Sequence, residues 1–289
     1  MSLTDIGYVK RLMAAHGITF QKKFGQNFLI NPTVPERIAS ECGASPKDAI
    51  LEIGPGIGTM TQYLCEMYEK VVAVEIDRAL IPVLAETLAD YDNVTVLEGD
   101  IMKTDLPALF AEHFAGKNVT VCANLPYYIT TPILMLLLES GVPLDNITVM
   151  IQKEVADRLA AAPGSADYGA VTASVQYYAA VEKLFNVSAG NFLPAPKVDS
   201  AVVRLRLYKD KPVKPESEEM LFRVIRAAFG QRRKTLLNAL SAGMGDFTKD
   251  ELSAAITDAG FDVGIRGERL STADFAHLSD VLFRMKNEK

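Results

Sequence analysis

Asn124-Leu125-Pro126-Tyr127 brings a carboxamide, a peptide carbonyl stiffened by proline and an aromatic ring within four residues. That set suits methyl transfer to the exocyclic amine of a nucleobase. Such an amine is a weak nucleophile because its lone pair is delocalised into the ring. Accepting hydrogen bonds from its two N–H groups draws the nitrogen toward a tetrahedral shape and re-aims the lone pair. The Asn124 side-chain oxygen can take one proton, and the Leu125 carbonyl, held rigid by Pro126, can take the other. Tyr127 offers a face on which the base can stack. An apolar run at 119–123 precedes the tetrapeptide and reads as a strand, and open α/β sheets carry their chemistry at the carboxyl ends of strands. An Asn-to-Pro turn after a strand is common on its own. The residues upstream give it meaning.

Glu52-Ile53-Gly54-Pro55-Gly56-Ile57-Gly58-Thr59 follows another apolar run and opens a predicted helix near Thr59. Glycines let the backbone pass close to a ligand, and a helix N-terminus presents free N–H groups. The spacing is G-x-G-x-G, so the third glycine of the dinucleotide fingerprint falls on Thr59. Pro55 also removes one phosphate-binding N–H. Both features favour a ligand without phosphates. Glu75, ending the next strand, is placed for the two hydroxyls of an adenosine ribose, which a nicotinamide cofactor would want as well. Asp100, in Gly99-Asp100-Ile101, offers a carboxylate to an adenine amine. Singly, each acid reads as a solvated strand-end residue. Jointly, the glycine turn, Glu75, Asp100 and Asn124 end four successive strands on the same side of one sheet.

The elements that hold these residues show as periodicity. Apolar runs at 50–53, 71–76, 94–97, 119–123 and 147–151 alternate with helical stretches, the pattern of βαβ units and a mostly parallel sheet with helices on both faces. Runs at 183–187 and 201–207 have no helix-length segment between them and predict an antiparallel pair closing one edge of a seven-stranded sheet. Asn31-Pro32 and Thr131-Pro132 predict helix starts. Residues 209–216, with Pro212 and Pro215, read as a linker. Helices follow at 221–229, 235–242 and 249–259, and a last one is opened by Ser271 with Asp274 as capping-box partner. The expected domains are 1–208, an α/β domain, and 217–289, a small all-helical one.

The chain has 289 residues, 49% of them apolar, enough for one large domain and a smaller one. Its start, Met1-Ser2-Leu3-Thr4-Asp5, lacks a signal-peptide pattern, and the longest apolar run, 132–138, is too short to span a bilayer. The expectation is a soluble cytoplasmic protein. Cys42, Cys65 and Cys122 are scattered and read as buried thiols, and with His16, His113 and His277 equally dispersed no metal site is expected. Net charge is −6, yet residues 191–240 carry eleven basic and five acidic side chains, a local +6. Arg223 and Arg226, then Arg232, Arg233 and Lys234, fall on what read as consecutive helical turns with apolar residues between, a basic face suited to phosphates. Charge alone fits a solvated linker and helix equally well.

These motifs together resemble those of the ribosomal RNA adenine dimethyltransferase family, and within it the bacterial small-subunit type, over nearly the whole chain. The resemblance runs through Gly25-Gln26-Asn27-Phe28-Leu29, the 52–58 loop, Glu75, Gly99-Asp100 and residues 124–127. It continues through 149–156, 192–200 and Phe229-Gly230-Gln231-Arg232-Arg233-Lys234-Thr235-Leu236. It implies a class I methyltransferase with a Rossmann-like sheet and S-adenosylmethionine as donor. Asn27 and Leu29 would close over the methionine part, with Gly54 beneath it, Glu75 on the ribose and Asp100 at the adenine amine. Gly56, Gly58, Ile76 and Ile101 complete the cofactor set, and Asn124 lies between donor and target. Phe192 is the expected second aromatic against the flipped base. The resemblance further implies two methyl groups on each of two adjacent adenosines in the 3′-terminal hairpin of 16S small-subunit rRNA, with the assembling 30S subunit as partner and a late role in its biogenesis. A monomer is the default. Three rivals remain: the large-subunit enzyme of macrolide resistance, a non-catalytic ribosome-assembly factor, and an NAD-dependent dehydrogenase. The last leaves residues 124–127 unexplained.

Overall fold

The computed structural model describes residues 2–18, 27–231 and 233–288. Five apolar runs form parallel neighbours: β2 (Ala49–Ile53), β3 (Lys70–Glu75), β4 (Val94–Glu98), β5 (Val119–Asn124) and β6 (Asn146–Gln152). β9 (Ser200–Leu207) lies antiparallel to β6, and β7 (Ala179–Val187) completes the edge, giving the order β4-β3-β2-β5-β6-β9-β7. Every residue of β2 is buried, as a central strand covered on both faces must be. The chain moves from β2 to β3 and β4 on one side, then returns to place β5 on the other. Loops leaving β2 and β5 therefore part at a switch point, where open α/β sheets form a crevice.

Three helices seat the crevice. α1 (Ile6–Ala15), capped by the Asp5 carboxylate, buries Val9, Leu12 and Met13 among Phe28, Ile57, Leu80 and Val83. α2 (Thr33–Ser40) and α3 (Thr59–Met67) bury Ile38, Met60 and Leu64 against Ile50, Val71 and Cys122 of the sheet. Each such aliphatic side chain contributes about 1.5–3 kcal/mol. A short ribbon, β1 (Phe28–Leu29) against β8 (Phe192–Leu193), pairs segments far apart in sequence. All three cysteines are buried free thiols. No helix among the described residues is long and apolar enough to cross a membrane.

A second compact unit comprises Asp157–Ala180 and Tyr208–Lys289, while the first comprises Met1–Ala156 and Val181–Leu207. The expected boundary at 208/209 gave 157–180 to the sheet domain. Its side chains pack elsewhere: Tyr168, Ala173 and Tyr177 share a core with Leu221, Ile225, Leu240 and Phe275. α8 (Ala170–Tyr178) thus joins α9 (Glu218–Phe229), α10 (Leu236–Gly243), α11 (Lys249–Asp258) and α12 (Thr272–Asn287). α9 buries Met220, Leu221, Val224, Ile225, Ala227 and Ala228, one helical stripe. The 209–216 segment has no regular structure but packs back, with Lys211 bonded to Glu218 at 2.6 Å and set over the rings of Tyr177 and Tyr178. Ser271 and Asp274 form the expected capping box.

Among the boundaries that differ from the periodicity, two are instructive. α6 (Thr130–Glu139) starts before Thr131, because the Thr130 hydroxyl donates to the Pro126 carbonyl at 3.2 Å; Pro132 sits in the first turn, where its missing N–H costs nothing. β7 begins at Ala179, four residues before the expected start.

Candidate active site

Register places the key residues on one rung. Ile53 of β2 is opposite Val74 of β3 and Ala123 of β5, so Gly54, Glu75 and Asn124 each stand one residue further along. Gly54 donates its N–H to the Val74 carbonyl at 2.9 Å, and Gly99 donates to the Glu75 carbonyl at 2.8 Å, which brings Asp100 alongside. A cavity with about 830 Å³ of empty space, open mouth included, lies above this rung. Asn27, Leu29, Gly54, Gly56, Glu75 and Ile76 line it together with residues 124–127 and Phe192. Asp100 and Ile101 line an adjoining hollow that shares Gly54, Ile76 and Pro126 with the first.

The backbone of the turn is shaped for close approach. Gly54 has φ +69°, and a Cβ there would meet nothing within 4 Å, so it would project into the open hollow. The Gly56 N–H donates to one Glu75 oxygen at 3.0 Å and the Asp77 N–H to the other at 2.8 Å. Burial pushes the Glu75 carboxyl up, while those two N–H groups pull it back toward the ionised form. Each oxygen keeps a lone pair for a ligand hydroxyl. Ile76 is 47% exposed although large and apolar, and it offers a flat face to a ring. One Asp100 oxygen caps the following turn by accepting from Met102 N–H at 3.0 Å; its second oxygen lies 3.9 Å from Lys103 Nζ. These residues fit a nucleoside-shaped cofactor that has no phosphates to hold.

Asn124 is oriented by a contact that reaches across 97 residues: its Nδ2 donates to the Asn27 carbonyl at 3.2 Å. A carbonyl can only accept, so the NH₂ end of the amide faces it and the Asn124 oxygen stays an acceptor for something else. The Leu125 N–H bonds the Met150 carbonyl at 3.1 Å and fixes the next peptide. Tyr127, half-buried, shares a hydrogen bond of 2.7 Å between its hydroxyl and Ser200, and burial pushes its phenol up. Phe192 lines the same cavity at 3% exposure, packed among Leu29, Met150 and Val202. It is a wall of the site more than a free stacking face.

Two groups of expected residues are corrected. Gly58 lines neither hollow: at φ +90° it begins α3, its N–H is taken by the Pro55 carbonyl, and a Cβ would come within 3.0 Å of Thr87 and 3.2 Å of Leu88. Its glycine is a packing requirement. The basic residues do not share one helix. α9 ends at Phe229, which leaves Arg233 and Lys234 exposed in the turn before α10. Arg223 is held bidentately by Asp246, its Nη1 at 2.7 Å from one oxygen, and that guanidinium holds the Asp246 carboxyl down at about 2. Arg226 is exposed beside it. Arg232, like Gly25 and Gln26, lies outside the described residues.

Phe28, Pro55, Thr59, Met60 and Glu52 also line the cavity, and the sequence reading assigned them no role. Four of them flank recognised motif residues, a signal that could have drawn them in. Glu52 is the odd one, an acid within a buried strand.

A Rossmann-like sheet with a pocket fit for a nucleoside without phosphates, lined also by the Asn124 carboxamide, defines an S-adenosylmethionine-dependent methyltransferase. The chain belongs to the ribosomal RNA adenine dimethylase family, whose profile matches residues 17–278. It is 54% identical over 265 residues to the ribosomal RNA small subunit methyltransferase A of Lachnoclostridium phytofermentans, covering 91% of each chain. It is 48% identical to the protein of that name from Geobacillus thermodenitrificans, covering 96% of this chain and 95% of that one. Among solved structures it resembles a dimethyladenosine transferase from Plasmodium falciparum, with TM-score 0.74, 26% identity and coverage of 90% of this chain and 98% of that one. The 23S rRNA methyltransferase ErmE aligns with TM-score 0.67 and 25% identity over 89% of this chain and all of that one.

Proposed function

We propose that the protein transfers methyl groups from S-adenosylmethionine to N6 of two adjacent adenosines in the 3′-terminal hairpin of small-subunit rRNA, giving N6,N6-dimethyladenosines late in 30S assembly. The observation that carries this reading is the Asn124 carboxamide, turned by the bond from its NH₂ to the Asn27 carbonyl so that its oxygen is the end left to accept from a base amine. When bound, the donor supplies a sulfonium-activated methyl group. The chain has then to align the amine and exclude water. Glu75, Ile76, Asp100 and Ile101 hold the nucleoside part, while Asn27, Leu29, Gly54 and Gly56 hold the rest. The Asn124 oxygen and the Leu125 carbonyl accept the two amine protons, Pro126 keeps that carbonyl rigid, and Tyr127 stacks on the base against the Phe192 wall. Arg226, Arg233 and Lys234 meet rRNA phosphates, with Arg232 as a further candidate. The protein works as a cytoplasmic monomer without a metal.

The relatives at 46–54% identity carry a small-subunit name, which favours that target over the large-subunit one. The test is incubation with methyl-labelled donor and undermethylated small subunits, followed by nucleotide mapping. Label on adjacent adenosines of the 3′ hairpin is expected. Label only at other positions of the small-subunit RNA, or none at all, would overturn the proposal.

A further inference from the structure

Glu52 is a buried acid that the chemistry above does not use. It lies within β2 at 0% exposure, and neither carboxyl oxygen has a hydrogen-bond partner among the described residues. The hydroxyls of Thr59 and Thr61 on α3 are buried and unpartnered as well. Each such group costs on the order of 1–3 kcal/mol, and folded proteins rarely leave three together. Glu52 and Thr59 both line the cavity, so the missing partner is one that arrives through it.

The surroundings say what charge that partner carries. Among the described residues, the titratable groups facing Glu52 are Glu75 at the end of β3, Cys65 on α3 and Cys122 on β5, its register partner, and none of these is a cation. Burial pushes the Glu52 carboxyl up to about 8, and the nearby Glu75 adds to the rise. The acid is therefore neutral at pH 7 until positive charge comes near. An ionised carboxylate is stable at such a depth only with a counter-charge.

We propose that a cationic ligand entering this cavity ionises Glu52, so that the methyl donor binds with release of one proton from the protein to solvent. Only the Glu52 O–H bond breaks, and the electron pair stays on the carboxylate as charge compensation for the ligand. The inference rests on the cavity being the donor site. The donor has two cationic centres, an α-ammonium and a sulfonium, and either meets the requirement.

Isothermal titration calorimetry of the full chain at pH 6.5, in two buffers of different ionisation enthalpy, counts the protons. At that pH the donor's own amine, with an ordinary pKa of about 7.7–8.0, stays protonated and adds almost nothing. Close to one proton released per S-adenosylmethionine is expected, with a Kd that falls about tenfold from pH 6 to pH 7. Glu52→Gln, matching the protonated acid in shape, is expected to release none and to lose that pH dependence. S-adenosylhomocysteine keeps the ammonium and lacks the sulfonium: release with both ligands assigns the effect to the ammonium, and release with S-adenosylmethionine alone assigns it to the sulfonium. Donor binding by the wild-type chain without proton release refutes the inference and leaves the function standing, whatever the variant's folding. Release that persists in a folded Glu52→Gln also refutes it. Binding of neither ligand overturns the functional reading itself.

Discussion

Replacing Asn124 by alanine separates catalysis from architecture. The substitution removes two things: the hydrogen bond from Nδ2 to the Asn27 carbonyl, 3.2 Å long, and the side-chain oxygen of a residue that lines the cavity. The first is a single neutral bond at a half-buried site, worth about 0.5–1.5 kcal/mol of stability, or a Tm lower by about 2–6 °C. The second acts as the nitrogen becomes tetrahedral, and losing one preorganised partner of a developing charge typically costs about 10²–10³ in rate. Rate should therefore fall by roughly two to three orders of magnitude more than donor or subunit affinity changes. Single-turnover transfer of labelled methyl to undermethylated small subunits measures the first quantity, and calorimetry with S-adenosylmethionine the second. Asn124→Asp adds a control, since a carboxylate oxygen facing the Asn27 carbonyl repels it and the side chain turns away. A folded Asn124→Ala protein within about threefold of the wild-type rate would refute the assignment.

Three other perturbations bear on neighbouring parts. Ser200→Ala and Tyr127→Phe each break the 2.7 Å hydroxyl pair, so each should lower kcat/KM several-fold, and the double variant should be no worse than the singles, a coupling of about 1 kcal/mol; additive losses would dissociate Ser200 from the ring. Gly58→Ala should destabilise the fold by about 1–3 kcal/mol in urea unfolding, because its Cβ meets Thr87 and Leu88, whereas Gly54→Ala should weaken donor binding more than stability, since its Cβ enters open space. The Arg223–Asp246 pair depresses the Asp246 carboxyl from 3.8 to about 2, so its contribution is complete above about pH 4 and lost as pH falls toward 2. Arg223→Ala should remove that acid limb and about 1 kcal/mol at neutral pH, discounted for solvent screening. Arg226→Ala should instead leave stability unchanged and reduce the salt slope of RNA binding by about one; an unchanged slope would exclude Arg226 from the phosphate contacts.

Strand ends were legible because a parallel sheet aligns them whatever the loops do. Gly54, Glu75, Asp100 and Asn124 each close an apolar run, and their common side follows from the alternation of strands and helices. What stayed hidden depends on contacts between distant residues. Nothing local to Asn27 announces that its carbonyl meets Asn124, nor does Phe192 announce its pairing with Leu29. The basic cluster looked uniform because a helical stripe shows where charges point but not that Asp246, 23 residues on, neutralises one of them. Residues 157–180 carry an apolar face that fits two cores equally well, and periodicity does not choose between them. Glu52 was read as the edge of the glycine turn, since only burial distinguishes an unpartnered acid from a solvated one.

The chain passes between its two units three times, after residues 156, 180 and 207, and this governs how the protein could be dissected. Cutting at the proline-rich segment would discard α9 to α12 and strip the shared core from Tyr177 on α8 and from Tyr168 just ahead of it, both almost wholly enclosed. A ring of that size brings about 150–250 Å² of surface into water, so such a fragment would be a sticky remnant rather than a minimal catalyst. A clean excision would instead remove 157–180 as well and splice 156 to 181. Grafting a foreign RNA-reading module onto this catalyst calls for an insertion as well as a C-terminal fusion.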